Sequence, residues 1–152
     1  MNEPVILLVE DNRDDAELTR LALSDCRVAN QMVWVQDGQE ALDWLCCTGT
    51  HAERDPCLLP TVVLLDLKLP KINGLEVLER IRKDPFLRRL PVVILTSSKE
   101  EQDIIRGYDL GANSYIQKPV DFEQFTHSIK ELGVYWMVIN EPPPSGTKCE
   151  NA

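Results

Sequence analysis

The chain has 152 residues, enough for one domain with a buried core that needs no disulfides. Its formal net charge of −9, with no basic or aromatic-interleaved stripe, excludes a surface built to neutralise nucleic-acid phosphates. The opening MNEPVILLVEDN lacks the positive start of a signal peptide, and no apolar stretch is long enough to span a bilayer, so a cytoplasmic location without membrane contact is expected.

Val5-Ile6-Leu7-Leu8-Val9 predicts a first strand that runs into Glu10-Asp11. Asn12 is a candidate N-cap for the helix that follows, with Asp14, Asp15 and Glu17 as acids suited to its start. Met32–Val35 reads as a second strand, and Asp37-Gly38 turns into a helix around Gln39–Cys46. Gly49 to Pro60 is polar loop. Val62-Val63-Leu64-Leu65 is a third strand ending at Asp66, and Asn73-Gly74 opens a helix carrying Leu75, Val77, Leu78 and Ile81. Val92–Leu95 is a fourth strand ending at Thr96, followed by a helix over Lys99–Tyr108. Ser114–Gln117 is a fifth strand ending at Lys118-Pro119, before a helix from Asp121 that is expected to continue through Val134–Ile139. The expected domain covers residues 1–139, and the Pro-rich stretch 140–152 reads as a disordered tail.

Five cysteines, an odd number without framework spacing, read as reduced thiols. Cys46-Cys47, His51 and Cys57 raise the question of zinc, but adjacent cysteines lack the gap of roughly two to four residues that lets two thiolates grip one ion. Cys149 has no evident role.

Alternating strands and helices predict an α/β three-layer sandwich, a flavodoxin-like fold with a five-stranded parallel sheet of order 2-1-3-4-5 and five helices. In such sheets the ligand crevice lies outside the carboxyl ends of the strands, at the point where strand order reverses. Glu10, Asp11 and Asp66 should therefore converge, with Thr96 and Lys118 on the same edge. Three close carboxylates cannot all stay ionised without a cation. Lys118 supplies one, and Mg²⁺ with oxygen ligands is the natural second. An aspartate so placed can attack phosphorus. Each residue alone has a plain reading as helix start, turn cap, strand end or surface charge. Their joint placement is what argues for phosphoryl chemistry.

The motifs VILLVEDN, VVLLDLKLPKINGLEVL, VVILTSS and GANSYIQKPVD resemble the receiver domain of two-component response regulators, over about residues 3 to 138. The resemblance implies that Asp66 is the phospho-acceptor. It implies that Glu10 and Asp11 hold Mg²⁺ together with Asp66 and the main-chain carbonyl of Lys68. It assigns Thr96 and Lys118 to the phosphoryl group, pairs Thr96 with Tyr115 as a switch, and leads one to expect a cis Lys118–Pro119 bond. Glu10 is longer than the Asp often found there, and Lys68 and Ser98 stand where the family tunes phosphoryl lifetime. The long 49–60 loop and the Val134-Tyr135-Trp136 ending look like stand-alone regulators paired with bacterial phytochrome kinases. A sensor histidine kinase is the implied partner. Tyr135, Trp136 and Val138 are expected to form an apolar patch, and a homodimer is expected through the fourth helix, fifth strand and fifth helix. Such a chain would be no enzyme beyond catalysing its own phosphorylation and dephosphorylation. A phosphorelay intermediate is the alternative. A haloacid-dehalogenase-type phosphatase would want an acid where Lys68 stands, and a flavin carrier would not place Glu10-Asp11 in its phosphate loop.

Overall fold

The computed structural model describes residues 5–26, 31–56 and 58–143. Strands β1 (Val5–Val9), β2 (Gln31–Val35), β3 (Val62–Leu65), β4 (Val92–Thr96) and β5 (Ser114–Gln117) form one parallel sheet of order β2-β1-β3-β4-β5. Helices α1 (Arg13–Cys26), α2 (Gly38–Cys46), α3 (Gly74–Lys83), α4 (Glu101–Asp109) and α5 (Phe122–Val134) alternate with them.

The apolar runs form strands because both of their faces are covered. Leu7, Val9, Val63, Leu65, Val92 and Ile94 pack toward α2 and α3, while Ile6, Leu8, Val62, Leu64, Val93 and Leu95 pack toward α1 and α5. Every residue of β3 is fully buried. Four of the helix starts follow the sequence reading, while α4 begins at Glu101, two residues after the expected Lys99. Asn12, Asp37, Asn73 and Asp121 each accept from a backbone amide in the first turn of the helix they open, at 2.7–3.0 Å.

Gly74 has a steric reason. A Cβ there would lie 2.2 Å from the Asp66 carbonyl oxygen, so the start of α3 can rest against the end of β3 only as glycine. At the other end of α3, Arg82 donates to the carbonyls of Gly111, Arg88 and Leu90 and to the Asn113 side chain. It thereby ties α3 to the turn that precedes β5. Helix α4 is held differently, since Gly107 is its one buried residue.

Two expectations are overturned and two are refined. Lys118–Pro119 is trans, as the described residues contain no cis peptide bond. The trans form is the intrinsically preferred one, and Lys118 reaches its partners without the cis geometry. The 49–60 loop is partly ordered. Gly49–His51 forms a 3₁₀ turn, and Arg54 stacks 3.7 Å from the Trp44 ring while donating to the Trp44 and Leu58 carbonyls. After α5 the chain continues as a π-helical turn, Tyr135–Ile139, closed by the Asn140 amide on the Tyr135 carbonyl at 2.7 Å. That turn leaves Tyr135 and Val138 exposed but sets Trp136 against the α1–α5 core, so Trp136 is not part of an outer patch. Cys57 and residues 144–152 of the expected tail lie outside the described residues. No helix among the described residues is long and apolar enough to cross a membrane.

Candidate functional site

The sheet ladder continues past the strand ends and sets the backbone of each site residue. The Glu10 amide donates to the Val35 carbonyl at 3.0 Å, the Asp66 amide to the Val9 carbonyl at 3.0 Å, and the Lys118 amide to the Thr96 carbonyl at 2.7 Å. Trp34 of β2 adds a further tie, its indole N–H donating to the Glu10 carbonyl at 2.7 Å. Residues 108 positions apart in sequence thus meet at one sheet edge.

Glu10, Asp11 and Asp66 each offer a carboxylate oxygen, all within 4.8 Å of one another. Glu10 and Asp66 are buried and Asp11 is exposed. The Lys118 ammonium donates to Glu10 Oε1, to Asp66 Oδ2 at 3.2 Å and to Asp15 Oδ2 at 2.9 Å. Asp15 was not foreseen as a site residue. In sequence it is one of several acids at a helix start, and nothing in its spacing separates it from Asp14.

Three carboxylates contact the one ammonium, with Asp11 beside them, and burial and charge together shift the groups at the centre. Burial pushes the Glu10 carboxyl up to about 7, with a further push from Asp66, against the hydrogen bond and charge of Lys118. Burial alone would lower Lys118, but hydrogen bonds to Asp15 and Glu10 outweigh it and hold the ammonium above the ordinary lysine range. An all-oxygen cluster with surplus negative charge and one exposed member fits a hard divalent cation. Among the described residues no other group of three or more His, Cys, Asp or Glu side chains converges in this way. Around the questioned zinc residues, His51 Nε2 lies 3.4 Å from Glu40 Oε2.

Lys68 is exposed and its amide lies 3.4 Å from Asp66 Oδ1. Thr96 is fully buried, and its hydroxyl oxygen accepts from the Ser98 amide at 3.3 Å. Tyr115 donates its hydroxyl to the Ser98 carbonyl at 3.2 Å, and the Ser98 hydroxyl donates to Asp103 Oδ2 at 2.6 Å. The two residues expected to act as a switch therefore meet through Ser98, a buried residue that also grips the first turn of α4. Burial raises the Tyr115 hydroxyl above its ordinary range, so it stays a neutral donor. A Cβ on Gly107 would meet Ile94 at 2.8 Å and the Tyr115 ring at 3.4 Å, which shows how closely α4 lies on that ring.

The family model described as "Response regulator receiver domain" matches residues 6–130. Response regulator Rcp1 of Synechocystis sp. is 36% identical over 133 residues, covering 88% of each chain. A crystal structure of its Mn(2+)-bound form superposes with a TM-score of 0.87, at 33% identity over 93% of this chain and 99% of that one. The phosphorylated cyanobacterial phytochrome response regulator RcpA is 39% identical, with a TM-score of 0.87 over 94% of this chain and 100% of that one. The bacteriophytochrome response regulator AtBRR is 53% identical, with a TM-score of 0.72 over 93% of this chain and 100% of that one.

Proposed function

The chain belongs to the response regulator receiver domain family of two-component signalling, and from that premise we propose that Asp66 accepts a phosphoryl group from a sensor histidine kinase. The observation that carries the assignment is the contact of Asp66 with Lys118 inside the Glu10–Asp11–Asp66 cluster. Glu10, Asp11 and Asp66, with the Lys68 main-chain carbonyl, would hold Mg²⁺, which when bound neutralises charge on the transferring phosphoryl oxygens. The Mn(2+)-bound form of Rcp1 supports a divalent cation.

The residues divide the work. An Asp66 carboxylate oxygen attacks phosphorus, forming an O–P bond as the kinase P–N bond breaks. The electron pair of that bond stays on the imidazole nitrogen. Lys118, at the end of β5, faces the charge that gathers on the phosphoryl oxygens. Thr96 turns its hydroxyl from the Ser98 amide toward the phosphoryl group, and Tyr115 follows through its bond to Ser98. In dephosphorylation water attacks phosphorus, the O–P bond to Asp66 breaks, and Asp66 leaves as carboxylate while inorganic phosphate is released. The chain catalyses only these two steps, both on its own Asp66.

RcpA and AtBRR are described as phytochrome response regulators, which favours a phytochrome-type kinase, in the cytoplasm, as the donor. The output is a changed protein-binding surface, with a homodimer as our leading form. Ile105 and Tyr108 of α4 and Phe122 of α5 are half or more exposed, and Tyr135 and Val138 extend that apolar character past α5.

Acetyl phosphate with Mg²⁺ should label the wild-type chain with one acid-stable, base-labile phosphoryl group, and Asp66→Asn should take none. Sedimentation of the same samples reads the dimer. Full labelling of Asp66→Asn refutes the acceptor, and a monomer at high concentration in every sample refutes the dimer.

A further inference from the structure

Lys118 carries three ammonium donors, and the structure matches them with three acceptors, on Glu10, Asp15 and Asp66. Two of these have competing duties in the reaction proposed above. Asp66 becomes covalently occupied, and Glu10 belongs to the set that would hold the cation. Asp15 has neither duty. Its amide is taken by the Asn12 side chain at 3.0 Å and its carbonyl by the Thr19 hydroxyl at 2.7 Å, so its carboxylate is presented by a helix turn fixed on both sides.

We propose that Asp15 is a positioning residue, the constant anchor that keeps the Lys118 ammonium in place while Glu10 turns to the cation and Asp66 to phosphorus. The proposal rests on Asp66 being the acceptor. It follows from donor arithmetic. Without the Asp15 carboxylate, Lys118 has only Glu10 and Asp66, the two groups that the cation also needs. The cation must then compete with the ammonium for both. The Lys118 side chain is 9% exposed, so its ammonium depends on these carboxylates more than a surface lysine would.

A general effect of acid at a helix start can be separated from this one. Asp14 sits in the same first turn with the same charge, but it is exposed and is not among the ammonium's three acceptors. The experiment compares Asp15→Ala with Asp14→Ala in the full chain. Mg²⁺ affinity is read by calorimetry, and the rate of acetyl phosphate labelling is read at saturating Mg²⁺. Asp15→Ala should lower each by about tenfold, and Asp14→Ala by less than about threefold. If Ala disturbs the helix start, as judged by circular dichroism, Asp15→Leu, likewise without an acceptor, serves the same comparison. Equal behaviour of the Asp15 and Asp14 variants in both measurements overturns the anchor. A wild-type chain that takes no label on Asp66 overturns the acceptor assignment instead.

Discussion

Glu10 should make the cation affinity of this site steeply pH-dependent near neutrality. The carboxyl is 2% exposed, and burial lifts its pKa from 4.5 to about 7. A cation competes with the proton for that group. At about pH 5.5 roughly 3% of Glu10 is ionised before the cation arrives, and at about pH 7.5 roughly three quarters, a gain of roughly 25-fold in the binding-competent form. A carboxyl at the ordinary value would gain only about 1.1-fold across the same window. Calorimetric titration with Mg²⁺ in buffers of differing protonation enthalpy measures both the affinity and the proton released. The slope should vanish in Glu10→Gln, which has nothing to titrate. A flat affinity in the wild type, or a slope that survives in Glu10→Gln, would refute the reasoning. The same shift bears on stability. A carboxyl whose folded pKa lies above its unfolded value stabilises the fold fully below about pH 4.5, and that contribution is lost as pH rises through about 7. The cation-free melting temperature should therefore fall across this window, and added Mg²⁺ should recover it.

Two further outcomes follow from close contacts. Gly74→Ala forces a Cβ into the Asp66 carbonyl and should cost about 1–3 kcal/mol in urea unfolding while slowing Asp66 labelling; unchanged stability and labelling would contradict the packing. Asp103→Ala removes the acceptor of the Ser98 hydroxyl from a helix whose own N-cap, Glu100, makes no side-chain cap bond. A loss of about 1 kcal/mol should speed amide hydrogen exchange at the start of α4 roughly fivefold, with β3 and β4 unchanged, and an unaltered α4 would show that Asp103 holds nothing.

Much of this arrangement was legible in the sequence because its signals are local. Val62-Val63-Leu64-Leu65 can be covered on both faces only in a central parallel strand, and the residue after such a run falls at the carboxyl edge. Strand order then brought Glu10, Asp11, Asp66 and Lys118 together. What was missed, Asp15 as a site residue and the contacts of Ser98, depends on side-chain reach between elements. Asp15 looks like any helix-start acid until β5 delivers Lys118 to it. Ser98 joins Thr96, Tyr115 and Asp103 partly through main-chain groups that any residue possesses. The inward turn of Trp136 depends on the π-helical winding after Val134, which the apolar pattern alone does not distinguish from a continuing α-helix. The trans Lys118–Pro119 bond runs against an expectation carried by resemblance, not by the residues.

The thin attachment of α4 has a consequence for how such proteins diversify. Eight of the nine α4 residues contribute no buried side chain, so most of that surface can change at a cost within about 0.5 kcal/mol each. The catalytic edge is bound into the sheet and tolerates little. On the reading proposed above, partner choice and chemistry would therefore be held on separate parts of the chain. A lineage can rewrite Glu101, Gln102, Ile105 or Tyr108 to meet a new partner while Asp66 and its neighbours stay as they are. Gly107 and Asp103 are the exceptions, because any side chain at 107 would press on the Tyr115 ring and Ile94, and Asp103 accepts from the Ser98 hydroxyl. The rest of the α4 surface is free to drift around these two fixed points.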